Sequence, residues 1–188
     1  SMAKICIIGE CPGETEEKEG RPFVGQAGRV LDGILEEVGI KRESCYITNV
    51  VKFRPANNNF DSIDAGEYAK AISELQEELL TVHPHCIVAC GNESMQAVLG
   101  FKGIQHYRGS ILESKYGKCI PVIHPAAIAR EWTFRPATVT DFMKVKKESE
   151  YAEIKRAPRN LVIADTFACV SNFFSSIVPG TKLAFDIE

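Results

Sequence analysis

Residues 5–28 read ICIIGECPGETEEKEGRPFVGQAG, an apolar run that gives way at once to a loop of glycine, proline and glutamate. Positions 9–28 hold five glycines, two prolines and five glutamates. Four consecutive apolar residues before such a loop predict a buried strand that ends near Gly9. Glycines leave room for a ligand or another backbone segment to approach closely. Because five glutamates would repel a bare triphosphate, we expect a different kind of ligand.

The same alternation of apolar runs and amphipathic segments continues along the chain. Further strands are predicted at 45–51, 86–90 and 118–123, and helices at 26–38, 65–82, 94–99 and 142–154. Short apolar strands that are each followed by a helix indicate a parallel sheet covered on both faces. We therefore predict an α/β fold of three layers, α/β/α, with a central four-stranded parallel sheet.

Folds of this kind bind their ligands at the carboxyl ends of the strands. Polar stretches rich in glycine and proline follow the predicted strands, at 9–25, 49–59, 91–94 and 124–130. One site built from these loops is expected. The first loop has neither G-x-G-x-x-G nor a Lys-Ser/Thr pair after its glycines, which disfavours a dinucleotide or triphosphate site. It suits a planar, largely uncharged group, with Phe23 as a stacking surface.

The net charge of −3 argues against a generic nucleic-acid coat, but the charge is unevenly distributed. Residues 101–160 carry twelve basic and six acidic side chains, whereas residues 1–100 carry nine and sixteen. The basic segment is either a phosphate-binding face or a solvated helix. No apolar run approaches the ~18 residues of a membrane span. Without a signal pattern, seven cysteines indicate reduced thiols and a cytoplasmic protein.

Three separated motifs carry a resemblance to one family. GECPGETEEKEGRPFVGQAG at 9–28, YITNVVKFRP at 46–55 and IPVIHPA at 120–126 resemble, in order and spacing, the motifs of family 4 uracil-DNA glycosylases. The resemblance covers about residues 3–130. It implies the fold of that family and hydrolysis of the N-glycosidic bond of deoxyuridine in DNA. Uracil-containing DNA, single- or double-stranded, is then the expected partner, and no membrane is involved.

The resemblance implies roles for individual residues. Glu10 and His124 are the catalytic candidates. Glu10 would lie near the attacking water or the developing positive charge on the sugar, and His124 would donate to a uracil oxygen. Phe23 would stack on the flipped base and Asn49 would read the uracil edge. Glu16 lies about where the family excludes a 5-methyl group.

Each of these residues also has a plain structural explanation, as a turn former, a loop cap or a core side chain. Their joint occurrence in three motifs favours a base-binding pocket. Cys11, also expected at the base, is either a nucleophile or a substitute for a small residue. Asn58 either touches the DNA or belongs to a polar loop. In the basic segment we expect Ile128 to enter the base stack, with Arg130 and Arg135 holding phosphates.

The sequence departs from the family at its iron–sulfur cluster, which four cysteines hold. Phe53 stands in KFRP where the family has KCRP, and no cysteine lies at 68–71. We expect no cluster, no other metal and no cofactor. We also expect Phe53 to pack as apolar core where the cluster would lie.

The end of the chain carries a second, weaker resemblance. KLAFDIE at 182–188 resembles the first metal-binding motif of the 3′–5′ exonuclease domain of A-family DNA polymerases, with Asp186 and Glu188 as the two acids. We predict a uracil-DNA glycosylase-like domain over 1–154, then a linker and the start of a possible exonuclease domain over 155–188. Two functions stay open: an active uracil-DNA glycosylase, or a non-catalytic uracil- or DNA-binding module attached to a DNA polymerase.

Overall fold

The parallel sheet is built from the apolar runs that the sequence marks. The computed structural model describes residues 3–155 and 166–180. Its strands are β1 (Ile5–Gly9), β2 (Cys45–Asn49), β3 (Cys86–Cys90), β4 (Leu112–Ser114) and β5 (Gly117–Val122), in the sheet order β2-β1-β3-β5-β4. The first three strands and β5 are mutually parallel, and β4 pairs antiparallel with β5.

The predicted α/β class is confirmed, and the four predicted strands form the parallel part of the sheet. The fifth strand, β4, is an addition that the sequence did not indicate. It has three residues, none of them fully buried, and it lies at the sheet edge. A strand this short lacks the alternating pattern from which strands are predicted.

The helices cover both faces of the sheet. They are α1 (Glu14–Glu19), α2 (Gln26–Val38), α3 (Ala65–Val82), α4 (Gly91–Leu99), α5 (Ile104–Tyr107), α6 (Pro125–Arg130), α7 (Arg135–Glu148) and α8 (Phe167–Ser175). Short 3₁₀ turns occur at Arg42–Ser44, Ala56–Asn58, Phe60–Ser62 and Trp132–Phe134. None of the helices within residues 3–155 and 166–180 has both the length and the apolarity needed to cross a membrane.

Alternating side chains of the strands form two cores. Ile5 and Ile7 of β1 pack with α2 and α7 on one face. Cys6 and Ile8 pack with α3 and α4 on the other face. This period of two, with apolar residues at every position, is typical of a parallel strand buried on both sides. The predicted three layers are therefore present.

Helix α7 begins seven residues before the predicted helix at 142–154 and ends six residues before its predicted end. Pro136 fits the first turn, where a missing N–H costs nothing. Beyond the helix, the ammonium of the fully buried Lys118 donates to the Glu148 carboxylate at 2.9 Å. It also donates to the main-chain carbonyls of Tyr151 (2.9 Å) and Glu153 (3.1 Å). These bonds hold residues 151–153 against the start of β5.

The chain divides into two compact units, residues 1–154 and 155–188. In the second unit, Thr166 caps α8 by accepting a hydrogen bond from the Cys169 N–H. The predicted exonuclease motif with Asp186 and Glu188 lies outside the described residues. The identity of this part of the chain therefore stays a prediction.

Candidate active site

A cleft of about 550 Å³ lies at the carboxyl ends of the parallel strands, within the size range of ligand sites. Residues from the loop after β1, the end of β2 and the segment after β5 line it. The lining includes eight of the ten residues predicted from the sequence, namely Glu10, Cys11, Glu16, Phe23, Asn49, Asn58, His124 and Arg130. Ile128 and Arg135 are not among them.

Asn49 and Phe23 meet beside Gly9, the residue that ends β1. Gly9 is the direct partner of Asn49 in the parallel register. A Cβ at position 9 would collide with Asn49 Oδ1 and would lie 2.7 Å from two carbons of the Phe23 ring. A glycine is therefore required where the opening loop begins. Sequence reasoning did not assign Gly9 to the site, although its place directly after a buried strand was the available signal.

The side chain of Asn49 is positioned for a ligand. The residue is only 7% exposed. Among the described residues, its side-chain amide makes no hydrogen bond to another protein group, while its main-chain carbonyl accepts one from Lys52. A buried amide without protein partners leaves one oxygen acceptor and an NH₂ donor for a bound molecule.

Phe23 has a strained backbone and a fixed ring. Its φ is 52°, in the left-handed region that few residues other than glycine adopt. The ring is buried and stacks on His124, with centroids 5.7 Å apart and an interplanar angle of 30°. Gly28 in α2 lets the helix approach the Phe23 carbonyl, where a Cβ would collide. An aromatic surface is thus held in place before any ligand binds.

The hydrogen bonding of His124 determines which ring nitrogen carries its proton. Nδ1 accepts a hydrogen bond from the Ala126 N–H at 3.1 Å and so caps α6. The proton of the neutral ring must then be on Nε2. Burial, assisted by the positive charge of Arg130, lowers the pKa of His124 to about 4. At neutral pH the ring is therefore an uncharged donor.

Glu10 is a half-buried carboxylic acid at the start of the loop. Burial raises its pKa above the ordinary value of 4.5, and the negative charge of Glu93 adds to the shift. Lys102 and Arg130 oppose it. A raised pKa makes the ionised carboxylate a stronger proton acceptor.

Glu16 holds the loop together as well as lining the cleft. Its carboxylate accepts hydrogen bonds from the backbone N–H groups of Val24 at 3.0 Å and Gly25 at 2.8 Å. These bonds fix the segment that carries Phe23 and that begins α2. The carboxylate satisfies N–H groups that the helix leaves open at its start.

The structure places two further candidates, Cys11 and Asn58, in the lining of the cleft. Burial, followed by the charge of Glu10, raises the pKa of the Cys11 thiol to about 11. A thiol of this kind is scarcely ionised at neutral pH, which favours a small-residue substitute over a nucleophile. Asn58 is exposed and has a φ of 55°, so it lies in a tight turn at the edge of the cleft.

One DNA contact predicted from the sequence is wrong, and a second, that of Arg135, stays a prediction. Ile128 is fully buried in the core, so the prediction that it enters the base stack is wrong. The guanidinium of Arg135 is 2.6 Å from the Glu37 carboxylate and 5.3 Å from the centroid of the Trp132 ring. Its charge is therefore already paired within the protein. Trp132, which the sequence analysis did not use, is 62% exposed.

A second cavity, of about 410 Å³, shares Glu16 and Asn49 with the cleft and is also lined by Phe53. Phe53 is 41% exposed, so the prediction that it packs as core is wrong. It lies on the loop after β2, in the wall of this second cavity.

The protein's cysteines do not fit the iron–sulfur cluster that family 4 enzymes hold, which needs four thiolates around one centre. Four cysteines are fully buried in the strands, and they are divided between the two faces of the sheet: Cys6, Cys86, Cys90 and Cys119. Burial raises the thiol pKa of Cys6 and of Cys86 to about 12. In the part of the chain that the structure describes, no three His, Cys, Asp or Glu side chains are grouped to hold a metal ion.

Known proteins with similar sequences belong to the family that the three motifs indicate. Residues 1–147 match the model of the uracil DNA glycosylase superfamily. A Type-4 uracil-DNA glycosylase of Archaeoglobus fulgidus is 36% identical over 152 residues, 76% of this chain and 75% of that protein. One from Thermotoga maritima is 38% identical over 148 residues, 76% of each. A DNA polymerase of Bacillus phage SP01 is 28% identical over 140 residues, 74% of this chain but 15% of the polymerase. The family predicted from three short motifs is confirmed, and the chain belongs to the uracil DNA glycosylase superfamily.

Proposed function

We propose that this protein is a uracil-DNA glycosylase, a hydrolase that removes uracil from DNA as the first step of base excision repair. Membership of the superfamily and the relatives named Type-4 uracil-DNA glycosylase support this activity. The observation that carries the mechanism is the meeting of an unpartnered Asn49 amide and a singly protonated His124 in one cleft with Phe23 and Glu10. An enzyme of this kind would act on DNA in the cytoplasm of a bacterial or phage-infected cell.

Recognition begins with extrusion of the base, because a base within a duplex is inaccessible to the cleft. The Asn49 oxygen would accept from uracil N3–H while its NH₂ donates to O4. Cytosine presents the opposite pattern, an acceptor at N3 and a donor at position 4, so one amide orientation distinguishes the two bases. Phe23 would supply the stacking surface. Glu16 would border the base where a 5-methyl group projects.

Hydrolysis would exchange one bond for another at the sugar. The oxygen of a water molecule bonds to C1′, and the electron pair of the C1′–N1 bond leaves with uracil. Glu10 either accepts the proton of that water or stabilises the positive charge on the sugar. His124 donates Nε2–H to a uracil oxygen, where negative charge accumulates. Removing one such donor typically costs ~10²–10³-fold in rate.

One finding favours a second function, a non-catalytic uracil- or DNA-binding module of a larger polymerase. The similarity to a phage DNA polymerase covers 74% of this chain. In that setting residues 1–154 would form the glycosylase-like domain, and residues 155–188 would lead into an exonuclease domain. A module of this kind would bind uracil-containing DNA and leave it intact.

An excision assay separates the two functions. The protein is incubated with a labelled oligonucleotide that contains one uracil, single-stranded or paired, and alkali then cuts any abasic site. We expect a cut at the uracil, none in the matched thymine oligonucleotide, and no effect of EDTA. A preparation that binds the uracil oligonucleotide but yields no cut at any pH would contradict the enzyme and support the module.

A further inference from the structure

The peptide group that follows Asn49 is held from two sides. Strand β2 lies at the edge of the sheet, with β1 as its neighbour. The N–H of Val50 donates to the Gly9 carbonyl at 2.9 Å, toward β1. Because the C=O and N–H of one trans peptide group point in opposite directions, the Asn49 carbonyl points to the open side of the edge. A partner for this carbonyl must therefore come from outside the sheet.

Lys52 supplies that partner. Its ammonium donates to the main-chain carbonyl of Asn49 at 2.7 Å, to Thr48 Oγ1 at 2.7 Å and to a Glu78 carboxylate oxygen at 2.8 Å. An ammonium has three donors and no acceptor, so these three bonds use it fully. Thr48 Oγ1 in turn donates to the same Glu78 oxygen at 2.9 Å. The network therefore ties the end of β2 to α3, the helix that carries Glu78.

The side chain of Asn49 depends on this peptide group for its orientation. Among the residues that the structure describes, its amide makes no hydrogen bond to another protein group, so the backbone that carries it must fix its direction. Lys52 lines the second cavity and is not in the lining of the cleft. It would therefore act on a base in the cleft through Asn49 and not by contact. A displacement of about 1 Å at a reacting site can cost about 10²-fold in rate.

We propose that Lys52, anchored by Glu78 of α3, is a positioning residue that fixes the Asn49 amide and so sets the preference for uracil over cytosine. The placement of uracil in the cleft rests on the proposed function. The link from Lys52 to Asn49 applies equally to an active enzyme and to a non-catalytic module that binds uracil. Binding is therefore measured first and excision second.

The binding test uses DNA that resists cleavage. A fluorine at the 2′ position disfavours positive charge on the sugar, so a labelled oligonucleotide with one 2′-fluoro-deoxyuridine stays intact. Anisotropy gives its dissociation constant and that of the matched 2′-fluoro-deoxycytidine oligonucleotide. Lys52→Met removes the ammonium and keeps most of the apolar stem. We expect the ratio of the two constants, the preference for uracil, to fall roughly 5- to 50-fold. An unchanged ratio would overturn the proposal.

A double-variant cycle separates positioning of Asn49 from general support of the fold. In the Asn49→Ala background the amide is absent, so Lys52→Met should change the affinity for the 2′-fluoro-deoxyuridine oligonucleotide by less than about twofold. A change as large as in the unaltered background would overturn the proposal. Glu78→Ala removes the anchor on α3 and should lower the preference in the same direction by a smaller factor. This variant carries the test if Lys52→Met does not fold.

Lys70→Met is the matched control. Lys70 also pairs with a glutamate of α3, but its side chain is 80% exposed and the Glu74 carboxylate is 3.8 Å away. This variant should keep the preference for uracil of the unaltered protein. A loss in Lys70→Met equal to that in Lys52→Met would show a general effect of charge and would overturn the positioning role.

The excision assay shows which of the two proposals fails. In an active enzyme, Lys52→Met should lower kcat/KM on uracil about 10- to 100-fold. Excision of uracil together with an unchanged preference in Lys52→Met would leave the glycosylase function in place and overturn the positioning role. A protein that never excises uracil, but whose preference for uracil is lost in Lys52→Met, would support the positioning role and contradict the glycosylase.

Discussion

Burial shifts the pKa values of Glu10 and His124 in opposite directions. Burial disfavours the charged form, so it lowers the pKa of His124 to about 4 and raises that of Glu10 above 4.5. As pH falls from neutral, Glu10 therefore takes up a proton first. His124 stays neutral, with Nδ1 accepting from Ala126, until the pH is near 4.

This order predicts the pH profile of uracil excision. The value of kcat/KM should fall on the acid side with a midpoint above pH 4.5, because protonation removes the Glu10 carboxylate. In Glu10→Gln the rate should be low and nearly independent of pH down to about pH 5. His124→Ala should keep the acid limb but lower the plateau ~10²–10³-fold. An acid limb that persists unchanged in Glu10→Gln would assign it to another group.

Asn49 should control both rate and base choice. Asn49→Ala removes a donor and an acceptor, and each hydrogen bond within a buried site is worth about 1–3 kcal/mol. We expect kcat/KM on uracil to fall roughly 10²–10⁴-fold, with the preference for uracil over cytosine lost. Asn57→Gly is the control, because Asn57 is exposed, lies outside the cleft lining and has a positive φ that glycine tolerates. Full discrimination in Asn49→Ala would show that another group reads the base.

At the scale of elements, two helices connect the site to the rest of the fold. Helix α6 has only six residues. His124 caps its first turn, and its buried Ile128 packs into the core beside α2. Helix α7 is tied to the sheet at its end, where Glu148 meets Lys118 of β5. Helix α6 positions His124, the proposed donor, and helix α7 packs against the sheet in the core.

The tie between α7 and the sheet should be a main contribution to stability. Lys118→Ala leaves Glu148 buried without its cation, and breaking such a pair costs about 3–5 kcal/mol of unfolding free energy. Urea unfolding measures this loss. The exposed Lys147→Ala should change stability by less than about 0.5 kcal/mol. A Lys118→Met, Glu148→Leu double variant should recover most of the loss, and a single variant as stable as the unaltered protein would contradict the ion pair's role.

The end of α6 should control the salt dependence of DNA binding. Arg130→Ala should weaken binding to all sequences and reduce the slope of log K against log salt by about one, since one phosphate contact is lost. Arg135→Ala should change the slope less, because its charge is already paired with Glu37. Anisotropy titrations at several salt concentrations measure both slopes. Equal slope changes in the two variants would place Arg135 on the phosphates as well.

At the scale of the whole molecule, the site depends on strands that are distant in sequence. Residues 10, 49 and 124 follow or end β1, β2 and β5, whose carboxyl ends share one edge of the sheet. Among residues 3–155 and 166–180, the buried residues of the two cores all lie before residue 146. The described core and the cleft lining therefore belong to the first compact unit.

A shortened chain tests this organisation. A version that ends at residue 157 keeps the Tyr151 and Glu153 carbonyls that bind Lys118. We expect it to fold with a thermal midpoint near that of the full chain and to excise uracil at the same rate. Loss of folding would show instead that the segment after residue 157 completes the core.

The four parallel strands, the loops after them and most of the site could be predicted from the amino-acid sequence alone. Apolar runs locate buried strands without reference to the rest of the chain, and the residue at the end of such a strand must lie at the sheet edge. Gly9, Asn49 and His124 were predictable for this reason. The motifs around them also identify the family.

Which side chains are covered depends on contacts between elements that are far apart in the chain. Helix α6 is apolar from Pro125 to Ala129, so no stripe in its sequence indicates the face that packs on α2. The sequence alone therefore could not show that Ile128 is buried and Trp132 exposed. The pairing of Arg135 with Glu37 joins residues far apart in the chain. Phe53 is exposed although Val50 and Val51, earlier on the same loop, are fully buried. Periodicity specifies which residues share a face, but the neighbouring element decides whether that face is buried.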